Sequence, residues 1–101
     1  MKILCLGRKG NNRSVALAGI LKLKGHDAIA VGMRCMGRDT RKMMLDWADK
    51  IILLHNKCIE GVPRDYHGKL TKFHVSCVEK MPTFDVAVVS LIEGFVGKEG
   101  L

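Results

Sequence analysis

Aromatic side chains are scarce in this 101-residue chain, which holds three Phe, one Trp and one Tyr. Arg and Lys are not interleaved with those few rings, so a base-stacking surface is not expected and nucleic acid is not favoured as a partner. Long apolar runs are missing too. Nothing approaches the roughly 20 residues of a membrane span, and the first residues lack the small-residue tail of a secretory signal, so a cytoplasmic protein with no membrane partner is expected. Proline occurs twice, and no linker, repeat or low-complexity stretch interrupts the sequence. One domain over residues 1–101 is expected, burying roughly two thirds of the surface its unfolded chain exposes. Cysteine is limited to Cys5, Cys35, Cys58 and Cys77, widely spaced and without a CxxC pair, which suits thiols in a reducing compartment more than a disulfide frame. Acidic residues are outnumbered, ten against seventeen Lys and Arg, and the net charge of +7 favours anionic partners without naming one.

What is present alternates between short apolar runs and helical periodicity. "KILCLG" reads as a first buried strand ending at the Cys5 region, and "RSVALAGILKLKG" as a helix carrying Val15, Leu17, Ala18, Ile20 and Leu21 and stopping at Gly25. "DAIAVG" is a second strand closed by Gly32. "DTRKMMLDWADK" spaces Thr40, Met43, Met44 and Trp47 at i, i+3, i+4, i+7 behind an Asp or Thr cap, which predicts an amphipathic helix with Met and Trp in the core. "KIILLH" is the most apolar strand, suited to burial on both faces of a parallel sheet. "NKCIEGVPRDYHGKL" predicts a long connection with one helical turn, "TKFHVS" a fourth strand, and "PTFDVAVVSLIEGFV" a last helix. Thr83 would cap that helix, Asp85 would sit in its first turn, and Val88, Ile92, Phe95 and Val96 would face inward. Residues 97–101 are expected to be a flexible tail. The alternation implies an α/β fold, a three-layer α/β/α sandwich on a four-stranded parallel sheet ordered 2-1-3-4. In such a sheet the ligand site lies beyond the carboxyl ends of the strands, where strand order reverses. The stretch "CLGRKGNNRS" falls at that point.

A glycine-containing turn that feeds a helix aims successive N–H groups at one spot, and the helix start adds about half a positive charge, so this loop favours phosphate or sulfate. The candidate phosphate-binding residues are Gly7, Arg8, Lys9, Gly10, Asn11, Asn12, Arg13 and Ser14. Arg13 supplies a two-pronged donor, and the two asparagines tolerate left-handed backbone angles. The same field would lower the pKa of Cys5 and place a thiolate to attack phosphorus, with Ser14 donating to the sulfur.

At these residues the chain resembles the low-molecular-weight protein tyrosine phosphatase family, in particular its short predicted-phosphatase branch. The resemblance rests on Cys5 with the first strand, on "NRSVALAGILK" entering the first helix, and on "LDWADKIILL"; it thins out after Leu54. It implies phosphomonoester hydrolysis of a phosphotyrosine-like substrate through a cysteinyl-phosphate, with Cys5 as nucleophile, Arg13 on the phosphoryl oxygens, Ser14 supporting the thiolate and a late aspartate as acid. Asp85 is the candidate acid, with Glu79 beside it. The family loop is Cys-x5-Arg; here it is Cys-x7-Arg, and two added residues are worth up to about 7 Å of contour. The family's Asp-Pro is also absent. The rival reading is a non-catalytic protein that keeps the loop and binds a phosphate or nucleotide. In either case the expected partner is a phosphorylated protein or a small anionic ligand, with no cofactor and no metal.

Other patterns compete. The loop also scans as G-x4-N-R-S, a poor phosphate-loop register with Asn12 for glycine and Arg13 for lysine. A phosphocarrier with a phosphorylated cysteine would need no Arg13. His55, Cys58, His74 and Cys77 form two His-x2-Cys pairs that could ligate zinc but lack knuckle glycines. Cys58 or Cys77 could serve as a resolving thiol for Cys5. Arg34, Arg38, Arg41 and Lys42 cluster after the second strand and could recognise an extended anion, with Tyr66 and His67 flanking the rim.

Overall fold

A computed structural model describes residues 1–7, 12–32, 37–54, 56–73 and 86–101, apart from the side chains of residues 12, 13, 56, 57 and 86–88. The strands are β1 (Lys2–Gly7), β2 (Asp27–Gly32), β3 (Lys50–Leu53) and β4 (Leu70–Lys72), and the helices are α1 (Asn12–Leu23), α2 (Arg38–Trp47) and α3 (Val86–Lys98). Two 3₁₀ segments, Asn56–Gly61 and Arg64–Lys69, fill the connection from β3 to β4. All strand pairs are parallel and the sheet order is β2-β1-β3-β4, so the α/β sandwich expected from the alternation is the fold observed.

The apolar run of β1 divides between two cores because successive side chains point to opposite faces. Ile3 and Cys5 join Ile52, Leu54 and the inner faces of α1 and α3. Leu4 and Leu6 join Ile51, Leu53, Leu45 of α2, and Cys58 and Val62 of the connection. Central position in the sheet is what demands this: β1 pairs with β2 on one edge and β3 on the other, leaving neither face to water. Helix α1 is correspondingly buried over most of its circumference, through Ala16, Leu17, Ala18, Ile20 and Leu21. Val15, read from the sequence as part of the inward face, is exposed, and Ala16 takes the inward place.

Helix α2 departs from its expected face in the same way. Met43 is 70% exposed and Thr40 is exposed, whereas Leu45 is buried and Met44 and Trp47 are half-buried. The inward stripe is Arg41, Met44, Leu45 and Ala48, one residue over from the predicted one. Neither Asp39 nor Thr40 caps the helix: the N-cap is Gly37, without a side-chain bond, and Asp39 lies in the first turn. The other end is closed by Lys69, whose Nζ donates to the carbonyls of Leu45 at 3.2 Å and Ala48 at 2.8 Å, where the helix dipole favours a cation.

Residues 97–101 are docked instead of forming a loose tail. Helix α3 runs to Lys98, Gly100 turns at φ 72°, and N–H groups of Gly100 and Leu101 reach back to Gly97 at 3.2 Å and Val96 at 2.9 Å. This pair of bonds is a Schellman closure, with Leu101 packed on the α1/α3 core beside buried Val96. His26 Nε2 bonds the Leu101 carbonyl at 3.0 Å and fastens the end of α3 to the end of α1. Helix α1 closes by the same motif, with Gly25 at φ 92° and His26 N–H on Leu21. The predicted cap Thr83 and first-turn Asp85 lie outside the described residues.

Candidate functional site

The site expected from the sequence lies where β1 ends and α1 begins. Gly7 is the last residue of β1 and pairs with Gly32, while α1 starts at Asn12, so both ends of the loop stand at the carboxyl edge of the sheet. Strand order reverses there, β1 having β2 on one side and β3 on the other. Arg8, Lys9, Gly10 and Asn11 lie outside the described residues, as do the side chains of Asn12 and Arg13. Ser14 is fully buried in the first turn of α1, and among the described residues it is the one buried polar side chain. A hydroxyl held inside a core needs a hydrogen-bond partner, and Ser14 has one.

Cys5 is not at the strand end. It pairs with Ala30 and Ile52, two residues before Gly7, which is about 7 Å at the rise of a strand. Leu6 and Gly7, which follow Cys5, continue β1 in unbroken register, and four residues separate Gly7 from the start of α1 at Asn12. Counting Cys-x5-Arg back from Arg13 reaches Gly7, which has no side chain. The Cys5 sulfur meanwhile sits in the α1/α3 core, fully buried, and burial pushes its thiol up to about 12; the positive charge of Lys22 lowers it by less. A buried thiol raised in this way is protonated at neutral pH and is a poor nucleophile.

The second cysteine does not meet the first. Cys58 packs with Leu6, Leu53 and Val62 on the α2 face, while Cys5 packs on the α1/α3 face, so the sheet separates the two thiols and Cys58 is not placed to resolve Cys5. Of the His-x2-Cys pairs only Cys58 is described; His55, His74 and Cys77 lie outside the described residues, as do the candidate acids Asp85 and Glu79 and the basic Arg34.

Arg38, Arg41, Lys42 and Tyr66, gathered from two distant segments, do come together. They line a cleft of about 390 Å³ between the first turns of α2 and the connection that follows β3, on the α2 face of the sheet. Lys42 pairs with Asp46 at 3.1 Å, and the Tyr66 hydroxyl donates to the same carboxylate. The Tyr66 hydrogen bond, then Lys42, hold the Asp46 carboxyl below its ordinary range, while Asp46 raises both Lys42 and Tyr66. His67 bonds the Val62 carbonyl at 2.9 Å and is not among the cleft residues. The cluster was legible as positive charge, but its acidic counterpart Asp46 was not singled out, because only the i, i+4 step on a helix announces that pair.

No protein-family model, no curated protein and no solved structure matches the chain.

Proposed function

We propose that this protein binds a phosphorylated ligand, a phosphoprotein or a small phosphate-bearing molecule, through the loop from Gly7 to Ser14, and does so without hydrolysing it. The observation that supports the non-catalytic half is the depth of Cys5: a fully buried thiol, pushed up to about 12 and two residues before the last residue of β1, is poorly suited to attack phosphorus. The binding half is supported by the placement of Gly7 and Asn12 at the switch point of a parallel sheet and by the sequence "GRKGNNRS", rich in cations and turn formers. Arg13 is the residue expected to grip the phosphoryl oxygens, and Ser14 to brace the loop from below.

The test pairs binding with turnover. Inorganic phosphate and p-nitrophenyl phosphate are titrated into wild type and Arg13→Ala by calorimetry, and p-nitrophenyl phosphate hydrolysis is compared between wild type and Cys5→Ser. The expected result is binding that weakens about tenfold or more in Arg13→Ala, as loss of a charge-assisted hydrogen bond implies, with hydrolysis equal in wild type and Cys5→Ser. Wild-type turnover that Cys5→Ser abolishes would return Cys5 to the role of nucleophile and the chain to phosphomonoester hydrolysis. Absence of phosphate binding would defeat the loop assignment altogether.

A further inference from the structure

The cleft beside α2 is a separate feature, on the α2 face of the sheet, and its chemistry is not that of a phosphate cradle. One wall is α2, with Arg38, Asp39, Arg41 and Lys42; the opposite wall is the connection, with Pro63, Asp65 and Tyr66; Leu45 contributes apolar surface between them. Not all of these charges are available. Lys42 is already paired with Asp46, and the Tyr66 hydroxyl donates to the same carboxylate, with Lys69 Nζ 5.6 Å from the centre of the Tyr66 ring. Arg38 on one wall and Asp65 on the other have no ion-pair partner among the described residues, and they are not within ion-pair distance of each other. The cleft therefore presents uncommitted charge of both signs, Arg38 and Asp39 on one wall and Asp65 on the other, across an apolar strip.

An anion alone would bind Arg38 but stand against Asp65, and a cation alone would meet the reverse conflict. A ligand with an acid group, an ammonium group and an apolar body satisfies both walls and covers Leu45, Pro63 and the Tyr66 ring. A volume of about 390 Å³ lies within the range of small-molecule sites, roughly 300–1,000 Å³. We propose that the cleft between α2 and the connection following β3 is a binding site for a small dipolar molecule of amino-acid or dipeptide type, its carboxylate on Arg38, its ammonium on Asp65 and its side chain on Leu45, Pro63 and Tyr66. The site does not depend on the phosphate reading of the loop.

The test uses probes without phosphate, so that the two sites fail separately. L-phenylalanine and glycyl-phenylalanine, which hold the two charges at different separations, are titrated against ¹⁵N-labelled protein while amide shifts are followed. Binding with a Kd of about 1 mM or tighter is expected for one of them, with shifts confined to residues 38–45 and 61–66. Arg38→Gln and Asp65→Asn each weaken that binding about tenfold, and phenylacetate and phenethylamine, which carry one charge each, bind about tenfold more weakly than L-phenylalanine. Arg38 and Asp65 are exposed, and an unchanged amide spectrum outside the cleft checks that both variants fold. The proposal is overturned by absence of binding for both probes, by affinities indifferent to either substitution, or by a single-charge analogue that binds as well as the dipolar probes.

Discussion

Cys5 shows how a residue can be visible in a sequence while its depth is not. "KILCLG" announces a buried strand, but where the strand stops depends on how far its neighbours continue the ladder, and here Gly7 pairs with Gly32. That register leaves Cys5 inside the α1/α3 core. The unfolded chain ionises such a thiol near 9.0, whereas the folded chain keeps the proton until about 12. Between those values the unfolded state holds fewer protons, so stability falls as pH rises, by about 1.4 kcal/mol per pH unit from this group. Urea midpoints measured from pH 8 upward should therefore fall more steeply for wild type than for Cys5→Ala; equal slopes would assign the alkaline loss to other groups. Alkylation gives the companion measurement, with Cys5 resisting iodoacetamide in the native protein and reacting once urea unfolds it. Gly7→Cys moves a thiol to the end of β1 and restores the Cys-x5-Arg spacing. It is expected to confer slow p-nitrophenyl phosphate hydrolysis, because this leaving group needs little acid help, and that activity should survive Cys5→Ser.

At the scale of elements, most of the fold could be read from period and punctuation, and the errors have a common origin. The bounds of β1 and β2 are those of "KILCLG" and "DAIAVG", since a glycine follows each apolar run. In α2 the inward stripe was misplaced by one residue because "KMML" offers three adjacent apolar side chains, and a 3.6-residue period accepts any of several offsets. Tertiary packing decides among them: Leu45 is driven against Leu4, Leu6 and Val62, and Met43 is left in water. Leu45→Ala should cost about 2–5 kcal/mol in denaturant unfolding, and Met43→Ala about 0.5 kcal/mol or less. A reversal of that order would restore the stripe first read from the sequence. The end of α1 was legible at Gly25, whereas the end of α3 was hidden in residues read as a flexible tail, and only the main-chain bonds reveal that Gly25 and Gly100 both close Schellman turns. An added Cβ at Gly25 meets nothing within 4 Å, so the cost of Gly25→Ala comes from φ alone and is expected at about 1–2 kcal/mol.

At the scale of the molecule, the described residues form one sheet with two cores of unequal construction. On one face, α1 and α3 cover Ile3, Cys5 and Ile52, and Phe73 stacks on Phe95 with ring centres 4.3 Å apart. On the other, among the described residues, α2 and the two 3₁₀ segments cover Leu4, Leu6 and Leu53, and the cleft lies beside α2. The first face depends on a segment that composition alone marks as disposable: "GKEGL" is polar and glycine-rich, yet Leu101 packs on the core, its carbonyl accepts from His26, and Glu99 faces Lys50 at 3.5 Å. Such a clasp predicts a local effect. Leu101→Ala removes apolar contact worth about 1–2 kcal/mol at a half-buried position, which should speed hydrogen exchange in α3 about tenfold. His26→Ala should act on the same amides, because it unfastens the same carbonyl from the end of α1. Exchange in α2, on the far side of the sheet, should change little, since its core shares no buried residue with the α1/α3 cluster. Equal acceleration on both faces would mean that the sheet opens as one unit and that the end of α3 contributes only to global stability.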